Sequence, residues 1–398
     1  MSKFDKHFKM SEEDAIDYIK EKLDYFDADA DLIASEIGDG NINYVFVVKD
    51  NKSGKSIVLK HADILLRSSG RELDVDRNRI EAEVLALQNK YAPGLVPKVY
   101  MYDPIMCVVV MEDISEYKNL RTELLSQKIF PKFAEDISTF MVNTLLPTTD
   151  LVMDSGEKKD LQASYINKDL CKISEDLVFT EPYIDYKGGN IIIDENMDFV
   201  EREIYGDKEL VLQAGILKNK FMNNAQALLH GDLHSGSIFA NQKGLKVLDP
   251  EFAFYGPMGY DLGNVVGNLM FPWAYSKVLV GNEEFEKWVE ETISDVIDKF
   301  VEKFNVLYDE IVTDVLAKTP EFKKWYLNSI LLDSAGCAGT EIIRRVIGDS
   351  KVADVTRIEN VDQRVEVERM LIGLAKELIK NRQEFLSGKE YMEMLKKV

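Results

Sequence analysis

Apolar residues follow a strand rhythm between Leu32 and Ile114, and after Leu120 they recur at spacings of three and four. A chain divided this way builds a sheet from its first part and a helical body from the rest, an α+β organisation. LIASEIGDGNINYVFVVKD (32–50) reads as a strand, a glycine-containing turn and a second strand, and NKSGKSIVLKHA (51–62) adds a tight turn and a third strand ending near Lys60. Residues 11–24 carry a helical pattern that starts at Ser11. A second helix opens at residue 77, has Ile80, Val84, Leu85 and Leu87 on its apolar side and stops at Pro93-Gly94. MCVVVMEDI (106–114) is a buried strand that turns polar at its end. The spacing thus predicts a first lobe over 1–114, an antiparallel sheet with a helix across it, and a mainly helical lobe over 115–398. Helical patterns cover 128–147, 161–173, 206–229, 284–317, 319–345 and 362–384. The exception is 237–250, two short strands around a Gln-Lys-Gly turn.

The 398 residues are 45% hydrophobic, enough to close a large core in two lobes. A formal charge of -21 disfavours nucleic acid and anionic membrane as partners, so an anionic ligand needs a local basic or metal-bearing site. The N-terminal residues carry charges throughout, and no apolar run approaches the roughly twenty residues of a membrane span. A cytoplasmic protein is expected, with Cys107, Cys171 and Cys337 as reduced thiols.

The chemistry concentrates in HGDLHSGSIF (230–239) and LDPEF (248–252), on either side of the small hairpin. Asp232 precedes the first strand, while Asp249 and Glu251 follow the second at a spacing that aims both at one ion if the backbone is extended. Such oxygen donors suit Mg²⁺ with phosphate completing its shell. Asp232 then remains to orient or deprotonate a hydroxyl, the alternative being a cap or turn. His230 and His234 have a spacing that resembles a zinc motif, but no Glu follows His230 and Gly231 disfavours a helix there. Bracing of the loop by His230 is expected instead, with His234 orienting Asp232 or lining the cleft.

HGDLH, a hairpin and LDPEF together resemble the catalytic and metal-binding segments of the aminoglycoside-phosphotransferase and choline-kinase-like superfamily, whose members share the two-lobed protein-kinase-like fold. The resemblance implies that Asp232 is the catalytic aspartate and that Asp249 binds metal. Ser237 stands where most relatives have an Asn, a departure that Glu251 would make good. HGDLHSGSI with DPEF, EIGDGNINYVFVV, GPMGYDLGN and the Arg344-Arg345 pair are similar to the methylthioribose kinase family within that superfamily, nearly from end to end. This second resemblance implies ATP-dependent phosphorylation of S-methyl-5-thio-D-ribose at its anomeric 1-hydroxyl, giving the 1-phosphate and ADP in methionine salvage, with ATP and Mg²⁺ as the cofactors and a homodimer as the assembly.

The same resemblance assigns the remaining residues. Lys60 contacts the nucleotide phosphates, and its carboxylate partner is Glu81 or Glu83, of which only one can face the cleft. Gly38, Gly40 and Asn41 form a turn over the phosphates, although an ordinary hairpin would read the same and no P-loop is present. Glu112, Asp113 and Ile114 read adenine through their backbone, and Asp249, Pro250 and Glu251 lie at the nucleotide phosphates. Arg344 first, and Arg345 second, bind the acceptor sugar; the alternative is a helix-end basic pair complementing the dipole. Asp261 supports the catalytic loop, and Trp273 belongs either to an apolar wall or to the core. The rival readings are a kinase of another small alcohol (choline, homoserine or an aminoglycoside) and an inactive nucleotide-binding module.

Overall fold

The computed structural model describes residues 2–37, 43–62 and 76–398. They form two compact units, Met1–Tyr117 with Lys246–Glu251, and Lys118–Leu245 with Phe252–Val398.

In the first unit α1 (Glu12–Lys22) starts at a capping box, with the Ser11 hydroxyl accepting from the Asp14 N–H and the Asp14 carboxylate accepting from the Ser11 N–H. Strands β1 (Leu32–Glu36), β2 (Asn43–Asp50), β3 (Ser56–Ala62), β4 (Val99–Asp103) and β5 (Val108–Glu112) make an antiparallel sheet in the order β1-β2-β3-β5-β4, and α2 (Asp76–Tyr91) lies between β3 and β4 in the chain. Side chains alternate along a strand, so Ile57 and Leu59 of β3 share one face and Val58 and Lys60 the other. The first face joins Phe46, Val48, Val108 and Val110 to Ala15, Tyr18 and Ile19 of α1 in one buried cluster, each large side chain contributing about 2 kcal/mol. Helix α2 packs on β4 and β5 with Ile80, Val84 and Leu85 buried, and Arg77 and Glu81 are buried along with them. The alternation thereby places a lysine amongst apolar residues and opposite a helix that can neutralise it. Strand β4, which no sequence pattern marked, is half-buried at every position and carries an irregularity between Val99 and Met101, so it has no period-2 signal.

The second unit contains β6 (Lys118–Asn119), α3 (Leu120–Leu125), α4 (Phe133–Leu145), α5 (Ser155–Ser164), α6 (Lys168–Leu177), α7 (Met197–Val200), α8 (Lys208–Asn223), β7 (Ala227–Leu228), β8 (Ile238–Asn241), the start of β9 (Gly244–Val247), β10 (Tyr255–Gly256), α9 (Gly259–Tyr275), α10 (Glu283–Ile311), α11 (Pro320–Ile347), α12 (Ala353–Thr356), α13 (Val361–Lys380) and α14 (Gly388–Leu395). Helix α4 begins at Phe133 and not near 128, because Pro131 restricts the residue before it and lacks an N–H. The pattern over 206–229 ends as helix at Asn223, and Ala227–Leu228 instead pairs with Tyr255–Gly256. The pattern over 161–173 divides into α5 and α6.

Helix α9 occupies the glycine-rich stretch that no helical periodicity marked, although the resemblance places Asp261 in a helix there. Gly259, Gly263 and Gly267 line its contact with α11, and a methyl group at Gly263 would sit 2.5 Å from the Ser334 carbonyl oxygen. Removing three side chains lets the two backbones approach closely, and this close approach holds α11, with Arg344 and Arg345 in its last turn, against α9. Trp273 is fully buried on α9 and donates its indole N–H to Glu290 at 3.1 Å, so it belongs to the core.

Candidate active site

The loop carrying Asp232 is held by hydrogen bonds from below. Asp261, in the first turn of α9, accepts the backbone N–H of His230 at 2.7 Å and of Gly231 at 3.0 Å, and the His230 ring accepts the Asp232 N–H at 3.3 Å. Asp261 is buried, and burial pushes its pKa up against the pull of His230 and the two backbone donors. Gly231 has φ +83°, and a methyl group there would lie 2.2 Å from the Phe252 carbonyl oxygen. Gly231→Ala is therefore expected to destabilise the protein by about 3 kcal/mol, combining left-handed strain with a backbone clash; an unshifted urea midpoint would show that the Phe252 segment gives way.

His234 accepts the N–H groups of Gly236 (3.0 Å) and Ser237 (3.1 Å) on Nδ1. The proton then lies on Nε2, which stands 3.3 Å from Asp232 Oδ2. Burial lowers the pKa of His234, and Arg345 and Arg121 add to that effect against the raising influence of Asp232. The ring is neutral at pH 7 and orients Asp232. Ser237 is buried with its hydroxyl 3.4 Å from His234 Nδ1.

The other oxygen of Asp232, Oδ1, lies 3.3 Å from Nη2 of Arg344. Burial acts to raise the Asp232 pKa, but His234, Arg344 and Arg345 outweigh it and hold the carboxylate far below its usual range. Arg344 and Arg345 are both buried, and Glu341 accepts from Nε of each. The Arg345 Nη1 group donates to the Ser350 carbonyl at 3.2 Å. The pair is thus built into the same unit as Asp232, with Arg344 the member that reaches it.

The first unit carries a separate charged cluster. The Lys60 side chain is 10% exposed, and its Nζ lies 2.7 Å from Glu81 Oε1 and 2.6 Å from Asp249 Oδ1. Glu83 pairs with Arg79 at 2.8 Å, so Glu81 is the lysine's partner. Burial would lower the Lys60 pKa; Asp249, Glu81 and Glu251 reverse that and keep it charged. Burial pushes Glu81 up to about 7, despite Lys60, because one ammonium serves several neighbouring carboxylates. Arg77, one turn before Glu81, places Nε 3.5 Å from Glu251 Oε2. The Asp249-Pro250-Glu251 turn is thus held at its Glu251 end by Arg77 of α2 and at its Asp249 end by Lys60 of β3, which Glu81 of α2 backs.

Glu112 donates its N–H to the Lys98 carbonyl at 2.8 Å and pairs with Lys246 at 3.2 Å. The Asp113 carboxylate accepts from Ser56 and Ser115, and the buried Ile114 accepts the Tyr117 N–H at 2.8 Å. Gly38, Gly40 and Asn41 lie outside the described residues.

The donors on the Asp249-Pro250-Glu251 turn suit magnesium. Asp249 takes the left-handed φ of +60°, a conformation that costs energy and persists where the surroundings enforce it. Its side chain is 41% exposed and Glu251's is 10% exposed. The backbone here is not extended, since a left-handed Asp249 leads into a 3-10 turn over Pro250–Phe252, so the spacing alone does not aim both carboxylates at one ion. Asp249, open to solvent, is the donor that suits a cation sharing its shell with phosphate and water, while Glu251 faces Arg77. Among the described residues no group of three or more His, Cys, Asp or Glu forms a metal cage. Arg77 and Glu341 escaped the sequence reading. For Glu341 a signal was present, a glutamate three and four residues before two arginines on one helix.

Fold and site define a phosphotransferase of the two-lobed kinase-like class. A profile of the phosphotransferase enzyme family matches residues 208–284, which contain Asp232, Asp249 and Glu251. Choline kinase from Cryptosporidium parvum Iowa II superposes with a TM-score of 0.50 over 96% of this chain and 100% of that one at 14% identity, a likeness of fold. Methylthioribose kinase of Bacillus anthracis is 37% identical over 376 residues, 94% of this chain and 93% of its own. That of Bacillus thuringiensis (strain Al Hakam) matches at the same identity and coverage. The chain belongs to the methylthioribose kinase family. No helix among the described residues is long and apolar enough to cross a membrane.

Proposed function

We propose that the protein transfers the γ-phosphoryl group of ATP to the 1-hydroxyl of S-methyl-5-thio-D-ribose, in methionine salvage in the cytoplasm, and that it works as a homodimer. The observation that carries this reading is Asp232, an ionised carboxylate set between a neutral imidazole and an arginine. Residues 1–114 serve as the nucleotide-binding lobe and 115–398 as the catalytic and acceptor-binding lobe. Lys60, fixed by Glu81, binds the nucleotide phosphates; adenine is read by the backbone of Glu112, Asp113 and Ile114 after β5, the N–H of Glu112 being already given to the Lys98 carbonyl. Gly38, Gly40 and Asn41 are assigned to the nucleotide phosphates. Asp249 and Glu251, on the turn with Pro250, would hold Mg²⁺, which supplies neutralisation of charge on the phosphates of ATP.

Asp232 orients the 1-hydroxyl. A carboxylate held this acidic is a weak base, so it takes the proton late, as the O1–phosphorus bond forms and ADP departs. Arg344 and Arg345 donate to sugar hydroxyls and to the charge on the transferring group. Arg344, Arg345 and Arg121 all bear electrostatically on this group of residues, against the carboxylates of Asp232 and Glu341. Such a balance suits a neutral sugar and opposes a cationic acceptor such as choline or an aminoglycoside.

The test is Mg²⁺-dependent ADP formation with 5-methylthioribose, ribose, choline, homoserine and an aminoglycoside as acceptors. Turnover confined to methylthioribose, with phosphate found on carbon 1, is expected. Turnover of another acceptor would move the assignment within the small-alcohol kinases, and transfer to none would favour the inactive module.

A further inference from the structure

Glu341 is fully buried on α11 (0% exposed) and divides its two oxygens unequally. Among the described residues Oε2 accepts from Arg344 Nε, whereas Oε1 accepts both Arg345 Nε at 3.0 Å and Asn268 Nδ2 at 3.0 Å. Asn268, on α9, in turn accepts on Oδ1 from the N–H (3.3 Å) and the hydroxyl (3.1 Å) of Ser235, three residues past Asp232. Arg121 adds a bond from Nε to the same Ser235 hydroxyl at 3.3 Å. A continuous hydrogen-bonded path thus runs from the loop that carries Asp232, through Asn268 and Glu341, to the guanidinium that returns to Asp232.

Adjacent helix residues diverge by about 100°, so Arg344 and Arg345 cannot brace each other. A carboxylate one turn earlier is within reach of both. Arginine carries about 2 kcal/mol of rotamer entropy, and a fixed Nε removes most of the freedom of its terminal nitrogens.

We infer that Glu341 is the positioning residue of the acceptor side, setting Arg344 against Asp232 and tying both to the catalytic loop through Asn268. The inference rests on the reading of Arg344 as an acceptor-binding group. Its chemistry makes a selective prediction. Glutamine fills the same space, but its NH₂ must face a donor whichever way the amide turns. Turned toward Oε1's place it opposes two donors, and turned toward Oε2's place it opposes only Arg344. The second orientation costs less, and so Arg344 is released while Arg345 and Asn268 keep their acceptor.

The experiment measures kcat and KM for acceptor and for ATP in wild type, Glu341→Gln, Arg344→Met and the double variant. Glu341→Gln is expected to lower kcat/KM for the acceptor by about 100-fold, leave KM for ATP within about twofold, and add less than about threefold to the loss from Arg344→Met. Multiplicative losses in the double variant, a matching rise in KM for ATP, or wild-type turnover would overturn it. Should Glu341→Gln fail to fold, Glu341→Asp keeps the charge on a shorter side chain and should show the same acceptor-specific loss; wild-type turnover by that variant overturns the inference. Wild type is the control for the underlying reading. If it uses a different acceptor, the cycle is run with that one and Glu341 is judged there; if it transfers to none, the functional reading fails and this inference fails with it.

Discussion

Asp232→Asn is expected to lower kcat by about 1,000-fold while KM for ATP stays within about twofold. Asparagine has the same shape and size, so the contacts that hold the loop, Asp261 to the His230 and Gly231 N–H groups and His230 to the N–H of residue 232, are all retained. What disappears is the negative charge between His234 and Arg344, and with it the acceptor for the hydroxyl proton. Glu341 still balances Arg344, because it accepts from Arg344 Nε independently of Asp232. The variant should therefore keep its fold, but with a lower melting temperature, because the new amide NH₂ has to face either His234 Nε2–H or Arg344 Nη2 and the stabilising charge between them is gone. Steady-state and single-turnover rates with saturating ATP check this. Retention of more than about a tenth of wild-type kcat would mean that Asp232 neither orients nor deprotonates the acceptor, and the phosphoryl transfer would have to be assigned to other groups.

Much of this is legible in the sequence alone. Strand alternation sets Lys60 on the face opposite Ile57 and Leu59, and the polar segments flanking a short hairpin stand out because hairpins seldom carry so many carboxylates. Helical spacing puts Glu81 ahead of Glu83 but does not tell which strand face α2 covers, so the choice closes only when Glu81 is seen buried with Ile80, Val84 and Leu85. Periodicity misses helix α9, which only the resemblance at Asp261 implies, for a related reason. Each interior glycine costs a helix about 1 kcal/mol relative to alanine, so Gly263 and Gly267 argue against helix locally. Tertiary packing reverses that judgement, since the missing side chains are what allows α11 to come close. Glu341 follows from the same event: on an isolated helix it is an ordinary salt-bridge partner, and only the approach of α9 brings Asn268 to it and removes it from water.

Lys60→Met should produce a second large loss, about 100-fold in kcat/KM for ATP, since it removes the charge assigned to the nucleotide phosphates. Its effect on stability is separable, because it depends on pH. In the native protein Glu81 is already pushed up to about 7 by burial, with Lys60 holding it down. Without the lysine, burial acts unopposed by that partner and the Glu81 pKa rises further. An acid whose folded pKa exceeds its unfolded value keeps its proton in the native state after the unfolded chain has lost it. Stability then falls as pH rises between the two values. In the wild type that fall is complete near the folded value of about 7, whereas in the variant it continues beyond. Lys60 itself does not alter this slope: its folded pKa is raised, so its own stabilisation is constant until pH approaches the unfolded lysine value. The melting-temperature deficit of Lys60→Met relative to wild type should accordingly widen from about pH 7 to about pH 9. Adding Glu81→Gln should remove that widening and recover much of the stability, because the buried side chain then has no charge to lose its partner, while phosphoryl transfer stays impaired. A deficit that is flat with pH, or a double variant no more stable than Lys60→Met, would mean that Asp249, whose side chain is far more exposed, carries the pairing with Lys60 and that Glu81 contributes little.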